Sequence, residues 1–177
     1  EAKLAVFDAL EPIDPAKVVR GQYDGYLGEP GVSPDSDTET FVALEVRIDN
    51  PRWSGVPFYL RTGKNLAAGR RVVTLAFRKP EHQLFSGDHR ADVLSFEIAE
   101  PGALTLHLLA KEPGPVMTLG RAPLRFEYAQ AEGERNELEA YQRLLHDAMT
   151  GDRTLFTRAP GIERLWEVAA PLLASPP

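Results

Sequence analysis

The residues that could do chemistry gather in one run, Arg61-Thr62-Gly63-Lys64-Asn65-Leu66-Ala67-Ala68-Gly69-Arg70-Arg71. It holds four cations and no carboxylate, inside a chain of formal net charge −6. Gly63 and Gly69 permit a tight loop and close backbone approach. Lysine and arginine so placed can fix a phosphate dianion through charge-assisted hydrogen bonds. The same residues also suit a solvated basic hairpin. The Gly63-Lys64 pair is not a Walker loop, because Phe58 stands where the first glycine belongs and Asn65 where Ser or Thr belongs.

Other chemistries are poorly provided for. There are no cysteines, which excludes disulfides, thiolate catalysis and zinc–thiolate sites. Of the four histidines, His82 and His89 crowd a run with Glu81 and Asp88 that is conceivable as a metal site but reads first as a surface loop. His107 sits on an expected strand facing opposite to Leu106 and Leu108, and His146 sits on the solvated face of an expected helix. No His-Glu-x-x-His and no Ser-His-Asp set stands out, so no catalytic residue and no metal ligand is assigned. No Gly-x-Gly-x-x-Gly opens a helix after a strand, so the chain has no recognisable dinucleotide site of its own.

The elements that must position the cationic run follow from periodicity. Leu44, Val46 and Ile48 alternate with Glu45, Arg47 and Asp49; Val73, Leu75 and Phe77 alternate with Thr74, Ala76 and Arg78. The same period of two recurs over 93–98 and 104–108, and a strand over 56–60 precedes the cationic run. Short turn-rich connections such as Asn50-Pro51-Arg52-Trp53-Ser54-Gly55 leave no room for the crossover helices that parallel pairing needs. The sheet is therefore expected to be largely antiparallel. A short helix is expected over 2–10 and a strand over 18–26. Two helices are expected near the end, one with Leu138, Tyr141, Leu144, Leu145 and Ala148 as its apolar stripe. The other starts near Pro160 with Ile162, Leu165, Trp166 and Ala169 on one face. The fold class is α+β, in a single domain over 1–177.

At 177 residues the chain can bury a sizeable core. The acidic balance argues against general nucleic-acid or anionic-membrane binding, and no apolar run approaches the roughly 20 residues of a membrane span. The N-terminus has no secretory signal and no initiator Met, so a fragment or processed chain is expected, and the lack of cysteine is compatible with a cytoplasmic origin. Val72, Ala76 and Val93 on otherwise polar faces suggest an exposed apolar sheet surface and hence a homodimer.

Several long segments carry a family resemblance in order. They are Val18-Val19-Arg20-Gly21-Gln22-Tyr23, Thr38-Glu39-Thr40-Phe41-Val42-Ala43, Ile48-Asp49-Asn50-Pro51-Arg52-Trp53-Ser54-Gly55-Val56-Pro57-Phe58-Tyr59-Leu60-Arg61-Thr62-Gly63-Lys64, and 140–152. This succession resembles the C-terminal half of glucose-6-phosphate dehydrogenases over nearly the whole chain. The resemblance implies oxidation of glucose 6-phosphate at C1 in the pentose phosphate pathway, with hydride passed to NADP. It also implies that an N-terminal Rossmann domain, absent from this chain, holds NADP together with the catalytic histidine signature. The chain alone is therefore expected to be inactive and to supply substrate binding and a dimerisation sheet.

By the same resemblance Lys64 matches the lysine that binds the substrate phosphate. The family's second cation falls at Gly69, so Arg70 is the expected replacement. Ala99 stands where the family has a substrate-facing glutamine, and Glu100 beside it is a possible substrate-facing carboxylate. The alternative reading is a family-derived assembly or regulatory module without catalysis.

Overall fold

The computed structural model describes residues 2–79, 81–82, 91–99, 101–128 and 140–174. Contacts divide the chain into two compact units, Glu1–Ala67 with Glu137–Pro177, and Ala68–Asn136.

The first unit contains helix α1 (Ala2–Asp8) and strands β1 (Val18–Gly21), β2 (Phe41–Val46) and β3 (Phe58–Gly63). It is completed by helices α2 (Ala140–Thr150) and α3 (Ala159–Ala174). The three strands pair antiparallel in the order β1-β2-β3. Expected alternation is realised on β2 and just beyond it, where Val46 and Ile48 are buried. Ile48 forms an isolated bridge with Leu10, and the Ile13 N–H donates to the Val168 carbonyl at 3.1 Å, drawing α3 onto the same small core. On its polar side, Glu45 accepts from Lys17 at 2.9 Å and Arg47 at 2.7 Å. Those two hydrogen bonds, Lys17's first, hold the Glu45 carboxyl below its ordinary pKa against the opposing effect of desolvation.

Sequence boundaries shift in two places. The expected strand over 18–26 stops at Gly21, because Gly25 takes a left-handed φ of 91° and opens a 3-10 turn at Tyr26–Gly28. The strand expected over 56–60 runs instead over Phe58–Gly63, which moves Arg61, Thr62 and Gly63 from loop to strand.

The helix stripes face the other way from expectation. Leu138 lies outside the described residues; among the described side chains of α2 the buried one is Asp147, 2% exposed, whereas Tyr141 is 81%, Leu145 65% and Met149 88% exposed. Arg143 donates to both Asp147 oxygens at 3.0 and 3.2 Å, so the buried carboxylate is paired. On α3 the inward residues are Gly161 and Val168; of the expected stripe, Ile162, Leu165 and Trp166 are exposed and Ala169 is half-buried. The reason is geometric. Gly161 is the only residue type that lets the Phe7 ring of α1 approach, since a Cβ there would lie 2.9 Å from its Cδ2.

The second unit is a four-stranded antiparallel sheet in the order β4-β5-β6-β7, made from β4 (Val72–Ala76), β5 (Val93–Glu97), β6 (Ala103–Lys111) and β7 (Leu119–Glu127). Its register aligns Val73-Phe96-Leu104-Phe126 and Leu75-Leu94-Leu106-Leu124 as cross-strand rows on one face. The other face carries Thr74-Ser95-Thr105-Arg125 and Val72-Glu97-Ala103-Glu127. The apolar surface is thus the Val73 side, not the face of Val72, Ala76 and Val93. Its outer-strand residues are open, with Val73 50% and Leu124 59% exposed, Leu94, Phe96, Leu104 and Leu106 on the central strands are half-buried, and small Ala103 and Thr105 on the polar face are buried.

Replacing Gly161 with Leu should lower stability by about 1–3 kcal/mol through overpacking against Phe7. Chemical denaturation measures this, and an unchanged midpoint would mean that α1 does not seat on α3 in solution.

Candidate functional site

The cationic run begins on β3, whose register against β2 aligns Arg61 with Ala43, Thr62 with Val42 and Gly63 with Phe41. The strand ends where the Lys64 N–H donates to the Thr40 carbonyl at 2.8 Å. Gly63 is needed at this closure: a Cβ would lie 3.0 Å from Phe41 Cδ2 and 3.1 Å from the Thr40 oxygen. Asn65 then turns the chain with φ 49°, a left-handed conformation that asparagine tolerates better than most residues. The result is a lysine with a fixed backbone and an exposed side chain. Among the described residues its ammonium has no ion-pair partner.

Arg70 belongs to the second unit and has a different setting. Its guanidinium donates to Glu97 Oε1, and Glu97 Oε2 lies 3.4 Å from Arg125 Nη2. Arg125 continues the network to Glu127 Oε1 at 2.9 Å and to the Thr105 hydroxyl at 3.4 Å. The hydrogen bond from Arg70, followed by the charge of Arg125, holds the Glu97 carboxyl below its ordinary pKa despite partial desolvation. Arg70 therefore has a carboxylate partner within its own sheet.

Ala99 closes a tight turn, its carbonyl accepting from the Gly102 N–H at 2.8 Å, with Gly102 at φ 72°. A methyl group there offers no donor or acceptor. Glu100 lies outside the described residues. His82 is exposed, His107 lies in register between Val93 and Pro123, and His146 is exposed with Nδ1 3.4 Å from Asp147 Oδ1. His89 is also outside the described residues. Among the described residues no group of three or more His, Cys, Asp or Glu could hold a metal ion, and no helix is long and apolar enough to cross a membrane.

A hollow of about 200 Å³ in the first unit is lined by Arg20, Gly21, Gln22, Ser36, Asp37 and Glu39. The Arg20 guanidinium donates to the Leu172 carbonyl, and two carboxylates share the lining, an arrangement unsuited to a dianion. Sequence reasoning gave no role to Thr40, which is 8% exposed and hydrogen-bonded to Gly21 at the end of β1 and to Lys64 just beyond β3. A threonine at the start of a strand carries no signal that would single it out.

These features define an α+β chain of antiparallel sheets with an exposed lysine just beyond a strand terminus. The family model for the glucose-6-phosphate dehydrogenase C-terminal domain matches residues 1–176, and the chain belongs to that family. It is 38% identical over 186 residues to glucose-6-phosphate 1-dehydrogenase 1 of Mycobacterium tuberculosis (strain CDC 1551 / Oshkosh), covering 99% of this chain and 37% of the relative. The glucose-6-phosphate 1-dehydrogenase of Rhizobium meliloti (strain 1021) is 38% identical over 193 residues, covering 98% and 38%. Among solved structures, the glucose-6-phosphate 1-dehydrogenase of Mycobacterium avium superposes with a TM-score of 0.82 at 34% identity, covering 98% of this chain and 37% of that one. A glucose-6-phosphate dehydrogenase in complex with its substrate glucose-6-phosphate gives 0.84 at 33% identity, covering 96% and 37%. The chain thus spans little more than a third of the relatives it matches.

Because its folded-state pKa is depressed, Glu97 contributes stability that is present above the ordinary glutamate value of about 4.3 and lost as pH falls through the lower folded value. A ¹³C carboxyl titration should place the Glu97 midpoint below the ordinary value. In Arg70→Ala the midpoint should move back up. An ordinary midpoint in the parent would mean that the Arg70–Glu97 pair does not persist in solution.

Proposed function

We propose that this chain is the substrate-binding and dimerisation part of an NADP-dependent glucose-6-phosphate dehydrogenase, which oxidises glucose 6-phosphate to 6-phosphogluconolactone in the cytoplasm. The observation that carries the reading is the whole-length family match combined with Lys64 held at the end of β3. A point charge on a flexible stem, anchored at its backbone and free of a carboxylate partner among the described residues, suits a phosphate dianion. The role is binding and orientation rather than proton transfer. Arg70 is the second phosphate cation in this reading, its guanidinium meeting Glu97 through Nη2 and keeping its other N–H donors.

Among the described residues every strand pair is antiparallel, and no strand–turn–helix unit of the Rossmann kind offers a helix N-terminus to a pyrophosphate. NADP and the general base would come from the polypeptide that the relatives carry beyond the matched third.

Calorimetric or NMR titration of the chain with glucose 6-phosphate tests the phosphate role. Lys64→Ala should weaken binding about tenfold or more, as loss of a charge-assisted hydrogen bond requires. Equal binding by parent and variant would remove Lys64 from the site. The non-catalytic assembly module is favoured by one observation, that Arg70 is already paired with Glu97. If neither the chain alone nor the chain completed by the missing polypeptide bound the sugar phosphate, that second reading would replace the first.

The open Val73–Leu124 face supports a homodimer through the four-stranded sheet. Light scattering should give a mass near twice 19.6 kDa, and joint Leu75→Asp and Leu124→Asp substitution should return the monomer. A parent that stays monomeric at high concentration would rule out this mode of assembly.

A further inference from the structure

We infer that Thr40 is the positioning residue for Lys64, an inference that rests on the phosphate-binding reading of that lysine. Thr40 makes three hydrogen bonds, one from each of its polar groups. Its N–H donates to the Gly21 carbonyl at 2.9 Å, at the end of β1. Its hydroxyl accepts from the Tyr23 N–H at 2.9 Å, just beyond that strand. Its carbonyl accepts from the Lys64 N–H at 2.8 Å, just beyond β3. A residue in a regular hydrogen-bonded antiparallel pair exchanges both backbone bonds with one opposite partner. Thr40 instead divides them between the exits of two strands and adds a third bond through its side chain.

That division couples the lysine to the long β1–β2 connection, residues 22–40. Gln22 draws the connection together, its Nε2 donating to the Ser36 carbonyl at 2.8 Å and the Thr38 carbonyl at 3.0 Å. The Thr40 hydroxyl then ties Tyr23 to the point where the chain re-enters the sheet. If the hydroxyl is lost, the Tyr23 N–H loses its partner in a part-buried setting and Thr40 keeps only two of its three bonds, which loosens its backbone. The carbonyl that holds the Lys64 amide belongs to Thr40 itself, so loosening Thr40 loosens the origin of Lys64. Thr40 touches no substrate in this account; it acts through the backbone of Lys64.

Native-state hydrogen exchange on the ¹⁵N-labelled chain tests the coupling without any ligand. In the parent, the Tyr23 and Lys64 amides should open together, with protection factors that agree within about threefold. Thr40→Ser, which keeps the hydroxyl, should preserve both. Thr40→Val should lower both by about tenfold or more, while the amides of 43–46 stay protected. A Lys64 amide that remains protected in Thr40→Val while Tyr23 opens would overturn the proposal. If Thr40→Val fails to fold, the parent still decides, because a freely exchanging Lys64 amide there would overturn it as well.

Titration with glucose 6-phosphate, with inorganic phosphate as the control probe, separates this proposal from the reading beneath it. The expected result is weaker binding in Thr40→Val, by about tenfold, and rescue in Thr40→Ser. Parent-strength binding in Thr40→Val, alongside loss in Lys64→Ala, would overturn the positioning role alone. Parent-strength binding in Lys64→Ala would instead overturn the phosphate role of the lysine, and the exchange results would still report on its coupling to Thr40.

Discussion

Strand β2 is hydrogen-bonded along both edges, and the geometry of the first unit depends on that double pairing. β1 lies on one side and β3 on the other, with a register that sets Gly21, Phe41 and Gly63 in one row. A central strand cannot slip by one residue without turning its buried side chains to water. Val46 and Ile48 on the buried side therefore fix the height at which the row ends. Lys64 begins one residue beyond that row. The place of the candidate anion-binding group thus follows from hydrophobic burial at the opposite end of the same ladder.

The two units use charge differently. In the first, Lys64 is exposed and without an ion-pair partner among the described residues. In the second, Arg70, Glu97, Arg125 and Glu127 bond one another across the polar face of the sheet. Exposed pairs of this kind contribute little stability individually. Their long side chains nonetheless cover the small residues beneath them, and Ala103 and Thr105 are buried on that face. The basic run that looks uniform in sequence thus contains cations in unlike environments.

Period two was legible wherever one face of a strand differs from the other, and the absence of crossover-length connections gave the antiparallel pairing. The α+β class and the family followed from residues that can be read in order. The direction of the helix stripes was not legible. Periodicity reports that α2 has an apolar side and that α3 is apolar over most of its circumference, but it does not say which side meets the core. A glycine at 161 and an aspartate at 147 face inward because of Phe7 on another helix and Arg143 one turn away. The bonding of Thr40 was hidden for a related reason, since its partners lie 17 and 24 positions away, at Tyr23 and Lys64.

The open apolar rows of the four-stranded sheet have a thermal consequence. Covering Val73, Leu75, Leu124 and Phe126 would remove aliphatic and aromatic surface from water, which lowers heat capacity. An association driven this way weakens on cooling, as the hydration of apolar groups becomes less unfavourable. Any surface that pairs with these rows would hold less firmly in the cold than at growth temperature, and storage at low temperature would favour the separated chains.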